Sequence, residues 1–271
     1  MPPPSSHHSL SPSGFPQGSP ALQELGLKSS PGGAHISRTI MLAELEQVLA
    51  SVPTGSAASE YRAAILDRNV LGKTTVSTRQ KSLRHLRELY ALDESVPLFG
   101  VLRKLHQLAP ASLPLLAVQV AWSRDSLFRS TSPAVLEVAD GDLVTPGQLA
   151  AAVAAAFPSQ YSELNQNKVA RNAASSWTQS GHLLGRSKKT RHRVQPTPVA
   201  VTLAFFLGQA AGFHGVAVFS NPWCRLLDLD ADRARSLAQE AHRAGLLNLR
   251  AIGDVVEISF PLLEEFLSPR P

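Results

Sequence analysis

Apolar residues recur at helical spacing between proline and glycine breaks along most of this 271-residue chain. In the clearest case, Leu42, Leu45 and Leu49 fall on one face of a helix that Pro53 must end. Apolar residues make up 44% of the sequence, which is enough to bury a core and excludes a wholly disordered chain. The pattern therefore predicts a mainly α fold.

Two stretches follow the order of elements in a winged helix, which is helix, turn, helix and β-hairpin. The first begins at Thr145, which is placed to cap a helix, and ends in the basic stretch 188–194. The second follows the apolar helix after Pro198 and ends in a hairpin over residues 246–260. Residues 60–91 read as helix, short turn and helix, a pattern that helix-turn-helix units share with any αα-hairpin. The predicted architecture is a helical body with helix-turn-helix and winged-helix-like units and a small C-terminal β-hairpin.

Composition divides the sequence into three predicted regions. Residues 1–35 are expected to form a disordered tail, because 20 of the first 33 residues are Pro, Ser or Gly. Residues 36–140 are expected to form a helical N-terminal domain that contains the helix-turn-helix-like unit. Residues 141–271 are expected to form a winged-helix-like C-terminal region with a basic hairpin and a terminal β-hairpin.

Signals for export or membrane insertion are not visible in the sequence. The first 27 residues contain no Lys or Arg and no apolar run of the kind found in signal peptides. The most apolar stretch, residues 199–219, is interrupted by polar residues and glycines, so its apolar core is too short to span a bilayer. We therefore expect a cytoplasmic protein without a membrane partner.

The charged residues are unevenly distributed, although the net charge is only +5. Residues 164–227 contain no Asp or Glu but eight Lys or Arg, and residues 68–87 contain no acid and six Lys or Arg. Residues 228–265 carry eight acids against four bases. A phosphate-binding surface needs cations without carboxylates that would neutralise their field, so the two acid-free runs indicate contact with nucleic acid.

Two groups of residues are predicted to make this contact. The cations expected to dock on the phosphates of double-stranded DNA are Lys73, Arg79, Lys81, Arg84, Arg186, Lys188, Lys189, Arg191 and Arg193. The side chains expected to read the DNA locally lie on the helix before the basic hairpin, and they are Asn165, Lys168, Arg171 and Asn172. Amide and guanidinium groups suit this role because they can donate to base edges and phosphates.

The sequence contains no group of residues with the spacing of a known catalytic or metal site. Cys224 is the only cysteine, which excludes an intramolecular disulfide and a Cys-rich zinc site. The segment 71–75 ends like a phosphate-binding P-loop, but Asp67 stands where the motif needs a glycine. Cys224 is expected to be a core residue, and His182 to be structural. We therefore predict no catalytic residue, cofactor, metal or small-molecule substrate.

One stretch of the sequence, residues 61–92, is similar to the N-terminal region of a known family. The similar residues form a short motif that spans the end of one predicted helix and the start of the next. They are Asn69, Leu71, Lys73, Ser77 and Arg79. The spacing within residues 126–136 is similar as well. Together they resemble BrxA-type proteins of bacterial BREX phage-defence systems. The resemblance implies a small, mostly helical, non-enzymatic DNA-binding protein that acts beside a methyltransferase, an ATPase and other defence-system proteins.

The sequence thus favours a non-enzymatic accessory protein that binds double-stranded DNA. Two rival functions remain open, a winged-helix transcriptional regulator and a protein-interaction scaffold that does not bind DNA. A nuclease has less support because no carboxylate cluster lies in the basic stretches, although a fold can bring acids in from elsewhere. RNA also remains open as the ligand, but the basic runs lack the interleaved aromatic residues typical of single-strand binding.

Overall fold

The computed structural model describes residues 14–16, 20–252 and 255–267. Within these ranges the protein is mainly α-helical, with a two-stranded antiparallel sheet near the C-terminus. Both features confirm the predicted fold class.

The helices are short and are separated by turns that often contain proline or glycine. In the described ranges their bounds are α1 (Pro20–Glu24), α2 (Leu42–Ser51), α3 (Ala58–Leu66), α4 (Val76–Tyr90), α5 (Pro97–Leu108), α6 (Leu113–Arg124), α7 (Ser126–Ser130), α8 (Pro133–Leu136), α9 (Pro146–Ala156), α10 (Glu163–Gln179), α11 (Pro198–Ala210), α12 (Pro222–Leu226) and α13 (Ala231–Arg243). Single 3-10 segments occur at Ala34–Ile36, Pro110–Ser112, Gly215–Ser220 and Pro261–Phe266.

The strands form two small antiparallel sheets. Their bounds are β1 (Leu143–Val144), β2 (Leu183–Leu184), β3 (Lys189–Arg191), β4 (Asn248–Ile252) and β5 (Val255–Ser259). The first sheet has the order β1-β3-β2, so β3 lies in the centre. The second sheet is the hairpin β4–β5, whose register pairs Asn248 with Ser259 and Ile252 with Val255.

The predicted N-terminal helix pair is present, with a longer connection than a compact helix-turn-helix unit has. α3 packs against α4, and the connecting residues 67–75 number nine, whereas a helix-turn-helix joins its helices through about three to four. Asn69 and Gly72 both adopt positive φ angles, of 51° and 60°, which reverse the chain direction between the two helices. The pair is a helical hairpin with an extended turn.

The start of α9 follows the sequence prediction in atomic detail. Thr145 Oγ1 accepts a hydrogen bond from the Gln148 backbone N–H at 3.2 Å, and Gln148 Oε1 accepts one from the Thr145 N–H at 2.7 Å. Each side chain thereby satisfies a backbone donor that the helix itself leaves without an acceptor. This reciprocal cap fixes where α9 begins after β1.

One apolar cluster runs through the N-terminal and C-terminal halves of the chain. It includes Leu45 of α2, Trp122 of α6, Trp177 of α10 and Phe260 after the last strand, all at most 1% exposed. The core therefore shows no division near residue 140, where the sequence analysis placed a domain boundary. Buried side chains from both predicted regions pack in this one cluster, so each region stabilises the other.

Part of the predicted disordered tail is packed into the protein. Leu22, Leu25 and Leu27 are each at most 7% exposed, and Phe15 is 2% exposed beneath the Arg129 guanidinium, 3.7 Å from its ring centre. The composition of residues 1–33 did not predict this packing, because these few apolar side chains contact helices that are distant in the sequence rather than residues near them in the chain. The other residues of the predicted tail, 1–13 and 17–19, lie outside the described residues.

The most apolar helix, α11, lies in the core. Its residues from Val199 to Gly208 are all buried, and it packs against α5, α6, α12 and α13. In the part of the chain that the structure describes, no helix combines the length and the apolar character that crossing a membrane requires.

Candidate nucleic-acid interface

The segment from β1 to β3 has the connectivity of a winged helix. The order along the chain is β1, α9, α10, β2 and β3, and the central β3 pairs with β1 on one side and β2 on the other. α9 packs closely on α10, which leaves α10 in the place of a recognition helix. Residues 185–188 connect β2 to β3 and form the wing.

The exposed residues of α10 include one acid, Glu163 in the first turn, and two cations. Val169, Ala173 and Trp177 are buried on the opposite face, whereas Lys168 and Arg171 are exposed. The outward stripe of α10 consists of residues four or three positions apart, Leu164, Lys168, Arg171, Ser175 and Thr178. Among the described residues neither Lys168 nor Arg171 makes an ion pair. Both cations are free to contact a phosphate or a base.

The wing presents further cations to solvent. Arg186 and Lys188 are exposed and form no ion pair with any described residue, and Lys189 is half-buried, with its Nζ 2.9 Å from the Gly185 carbonyl oxygen. Gly185 has φ 97°, and a Cβ there would lie 2.1 Å from the Lys188 carbonyl oxygen. The tight wing therefore needs glycine at this position.

Arg191 was predicted as a phosphate contact, and this prediction is wrong. Its side chain is 1% exposed and forms an ion pair with Asp228, whose second oxygen accepts a hydrogen bond from the Val194 N–H at 2.9 Å. Arg191 also donates to the carbonyl oxygens of His182 and His192. The cation holds β3 against the loop after α12 and cannot reach a ligand.

The basic hairpin contains no acid in its own sequence, but the fold places two aspartates from the preceding turn beside it. The Arg193 backbone N–H donates to Asp140 Oδ1 at 2.8 Å, and the Arg191 N–H donates to the Asp142 carbonyl oxygen at 2.8 Å. Both aspartates are exposed on the turn before β1. Arg193 is exposed as predicted, but a carboxylate adjoins its backbone, which weakens its field on a phosphate.

The two predicted asparagines of α10 contribute less to the surface than their sequence position indicates. Asn172 is half-buried and donates through Nδ2 to the His35 carbonyl oxygen at 2.8 Å, so its amide group holds the N-terminal segment. Asn165 is half-buried in the first turn of the helix. The prediction that Asn172 reads DNA is therefore corrected to a structural role.

The second basic run is divided between structural and free cations. Lys73 Nζ lies 3.0 Å from Glu44 Oε1 and so joins the α3–α4 turn to α2, and Arg79 of α4 donates to the Leu66 carbonyl oxygen at the end of α3 at 2.7 Å. Lys81 and Arg84 are exposed on the outer face of α4. The predicted DNA contacts at Lys73 and Arg79 are thus replaced by contacts within the protein.

The segment before α2 lies between the two basic helices. The Ile40 carbonyl oxygen accepts a hydrogen bond from Tyr90 Oη of α4 at 2.5 Å, and its N–H donates to Ser176 Oγ of α10 at 2.9 Å. Arg38, two residues earlier, acts with Arg84 on His85, whose pKa is lowered by burial and by these two positive charges. Arg38 was missed by the sequence analysis, because it lies outside both acid-free runs.

Neither a scan against protein-family models nor a search of curated proteins finds a match to this chain. The function is therefore inferred from the residues and geometry of the protein itself.

The structure assembles a buried Asp-His-Ser chain that the sequence did not reveal. Asp125 Oδ2 lies 2.7 Å from His35 Nδ1, and His35 Nε2 lies 2.8 Å from Ser176 Oγ. These distances match a hydrolase triad, but all three residues are at most 1% exposed, and Ser176 Oγ already accepts the Ile40 N–H. A substrate cannot reach this hydroxyl, so the chain of hydrogen bonds fastens α10 to α7 and the N-terminal segment.

The other two residues that could form a nucleophile and a base, Cys224 and His214, lie in different environments. Cys224 is buried, as predicted, and burial raises the pKa of its thiol. His214 is exposed on a separate turn. Over residues 14–16, 20–252 and 255–267, no group of three or more His, Cys, Asp or Glu side chains is placed to hold a metal ion.

His182 is a buried neutral histidine beneath the wing. Its Nε2 donates to the Leu226 carbonyl oxygen at 2.8 Å, and its Nδ1 lies 2.8 Å from Ser180 Oγ. Since a carbonyl only accepts, Nε2 carries the proton and Nδ1 accepts the hydroxyl. Burial lowers the pKa of His182 to about 4.

His182 makes stability fall under mildly acidic conditions. His182 in the unfolded chain is protonated below about pH 6.5, whereas His182 in the native protein, with its pKa of about 4, stays neutral until the pH falls to that value. Stability is therefore full above pH 6.5, and the His182 contribution to its loss reaches about 3 kcal/mol as pH falls to 4. Chemical denaturation of the wild type and of His182→Gln between pH 7 and 4 measures this difference. Equal pH slopes for the two proteins would contradict the assignment.

Proposed function

We propose that the protein is a non-enzymatic factor that binds double-stranded DNA through α10 and the wing. The observation that carries the proposal is the placement of four exposed, unpaired cations on one winged unit. These cations, Lys168, Arg171, Arg186 and Lys188, define the α10–wing surface. Lys81 and Arg84 of α4, which are exposed, and the half-buried Arg38 are further cations outside this surface.

The geometry of this unit supports a duplex rather than a single strand as the ligand. A helix about 10–12 Å across fits the major groove, which is about 12 Å wide, and an exposed stripe along it faces the base edges. The wing then contacts the neighbouring phosphates. The exposed stripe of α10 contains no aromatic residue on which unpaired bases would stack.

The biological setting follows from the resemblance to BrxA-type proteins. We propose that the protein acts as an accessory of a phage-defence complex in the cytoplasm, where its partners are DNA and other defence-system proteins. The support for this setting is the similarity of residues 61–92 and 126–136 to that family. In such a complex the duplex contact would place the other subunits on DNA.

Replacement of the α10–wing surface tests the proposed function. The variant changes all four of its cations to Ala, and binding to a fluorescent 24-base-pair duplex is measured by anisotropy at 100 mM salt. We expect the dissociation constant to rise by about tenfold or more, because four phosphate contacts are lost. A matched control removes four cations outside this surface that are also exposed and form no ion pair with a described residue, Arg62, Arg225, Arg243 and Arg250. Equal weakening in both variants would show that only net charge matters.

A second candidate function is that of a sequence-specific regulator. The observation that favours it is that a helix is followed by a β-hairpin twice, at α10 with β2–β3 and at α13 with β4–β5, as in regulators with two DNA-binding units. Such a protein would prefer one operator over random duplex by roughly a thousandfold or more. Selection from a random duplex library distinguishes the two functions. Without enrichment of any sequence, the general accessory function is favoured.

A further inference from the structure

The two small sheets of the protein differ at one edge. In the first sheet, β3 is the second strand of the hairpin after α10, and it pairs with β2 on one side and β1 on the other. In the second sheet, β5 is likewise the second strand of the hairpin after α13, but among the described residues it pairs with β4 alone. β5 therefore lacks the third strand that β1 supplies to β3.

The backbone of β5 has hydrogen-bonding groups at this open edge. The register pairs Ile252 with Val255, and a closing pair with two residues between its members exchanges backbone hydrogen bonds. Every second residue of β5, beginning with Val255, therefore directs its N–H and C=O groups at β4, whereas Val256 and Ile258 direct theirs to the opposite side. Neither of these two exchanges a backbone hydrogen bond with another described residue. Such an edge is a template for a further strand.

A cavity of about 520 Å³ lies beside the open edge. Residues 256–259 of β5 line one part of it, and the end of α11 and the 3-10 segment Gly215–Ser220 line another. This 3-10 segment lies near β5 but exchanges no hydrogen bond with it. Phe213 and Val218 add apolar surface to the lining. The volume falls within the range of about 300–1,000 Å³ that is typical of ligand-binding clefts.

One buried polar atom in the lining of this cavity has no partner. Gln209 lies in the last turn of α11, and its Oε1 is buried without a hydrogen bond to any described residue. Buried polar groups are nearly always hydrogen-bonded, because an unpaired one costs free energy. A ligand with N–H donors removes this cost, so a peptide backbone suits the cavity better than a purely apolar molecule.

The charge at the edge favours a basic residue at the centre of an added strand. Glu257 is exposed beside the cavity and forms no ion pair with a described residue, although Arg250 faces it from β4. On the open edge Glu257 belongs to a non-hydrogen-bonded pair, in which the two opposing side chains lie closest. Opposite charges in such a pair stabilise a sheet. The strand residues on either side should be apolar, because they share the face of the buried Val256 and Ile258.

We infer that the open edge of β5 binds an extended peptide of a partner protein as a third strand, in the place that β1 has in the first sheet. The peptide carries a basic residue opposite Glu257 and an apolar residue on either side of it. Its backbone bonds to Val256 and Ile258 supply affinity, and the cavity beside them supplies specificity. This contact is separate from the α10–wing surface and does not depend on DNA binding.

Peptides with methylated backbone nitrogens test the strand addition. The probe is the peptide Thr-Val-Lys-Val-Thr, labelled with fluorescein at its N-terminus and amidated at its C-terminus, and binding is followed by anisotropy up to about 0.5 mM protein. Both valine N–H groups should point at β5 and the lysine N–H away from it. We expect methylation of both valine nitrogens to weaken binding about tenfold or more, and methylation of the lysine nitrogen to change it less than about threefold.

Two variants of the protein test the assigned register. Glu257→Lys should bind the lysine peptide about fivefold more weakly and prefer a peptide with a central glutamate. The matched control Glu264→Lys reverses an exposed acid that does not line the cavity, so it should bind both peptides like wild type. Val256→Pro removes an outward N–H without removing a bond to β4, and it should bind the lysine peptide about tenfold more weakly. Circular dichroism melting confirms that the variants are folded.

Three results would overturn the inference. The first is the absence of saturable binding up to about 0.5 mM protein, and the second is equal binding of the parent and both methylated peptides, which would show that the backbones do not pair. The third is a dimer, seen by analytical ultracentrifugation, that Val256→Pro dissociates, because a second copy of the chain would then occupy the edge. Each of these results leaves duplex binding by the α10–wing surface unaffected.

Discussion

Replacing Arg191 by methionine is expected to lower the free energy of unfolding by about 3–5 kcal/mol, the usual cost of removing one partner of a buried ion pair. The methionine fills much of the space but leaves the Asp228 carboxylate buried without its cation. It also removes the donors to the His182 and His192 carbonyl oxygens. Urea denaturation followed by circular dichroism measures the loss.

Two further variants show whether the lost ion pair causes the effect. Arg193→Met removes an exposed cation two residues away and should change stability by no more than about 0.5 kcal/mol. Adding Asp228→Asn to Arg191→Met should restore part of the loss, because no unpaired charge then remains buried. If Arg191→Met were as stable as wild type, Arg191 would have to be reassigned to the surface.

Replacing Asp125 by alanine is expected to cost a similar amount, about 3–5 kcal/mol, because three donors lose their acceptor. Asp125 accepts the His35 backbone N–H at 3.0 Å and its ring at 2.7 Å, and it caps α7 by accepting the Phe128 N–H at 2.9 Å. The His35 ring, stacked on Phe128 at 4.4 Å, would keep a buried polar edge without a partner.

The control for this variant is Asp93→Ala. Asp93 also accepts a backbone hydrogen bond, from Ser95 at 2.9 Å, but in an exposed turn, so its loss should cost about 1 kcal/mol or less. Thermal melting compares the two variants under one condition. An Asp125→Ala protein that melts with the wild type would show that the buried chain does not hold α10 in place.

Local features of this fold could be predicted, whereas long-range pairings could not. The cap formed by Thr145 and Gln148 lies within four residues, so its spacing in the sequence is also its geometry. Arg191 and Asp228 are 37 residues apart, and nothing in their neighbourhoods shows that they meet. The charge pattern along the sequence therefore predicted a surface position for Arg191, which is buried in the structure.

The candidate interface was partly predictable for the same reason. Lys168 and Arg171 are exposed because the helical period of α10 turns them away from Trp177, and this period is visible in the sequence. Asn172 is one residue further on but meets His35 from the N-terminal segment. A composition rich in Pro, Ser and Gly gave no indication that residues near His35 would pack against α10.

The salt dependence of duplex binding tests the central claim most directly. Dissociation constants of the wild type and the α10–wing variant are measured on the 24-base-pair duplex from 50 to 200 mM salt. Each phosphate contact contributes about 0.9 to the slope of the logarithmic plot, so the variant should have a slope shallower by up to roughly 3–4. Parallel slopes, or a wild type that binds no duplex at 100 mM salt, would contradict the proposal that α10 and the wing contact DNA.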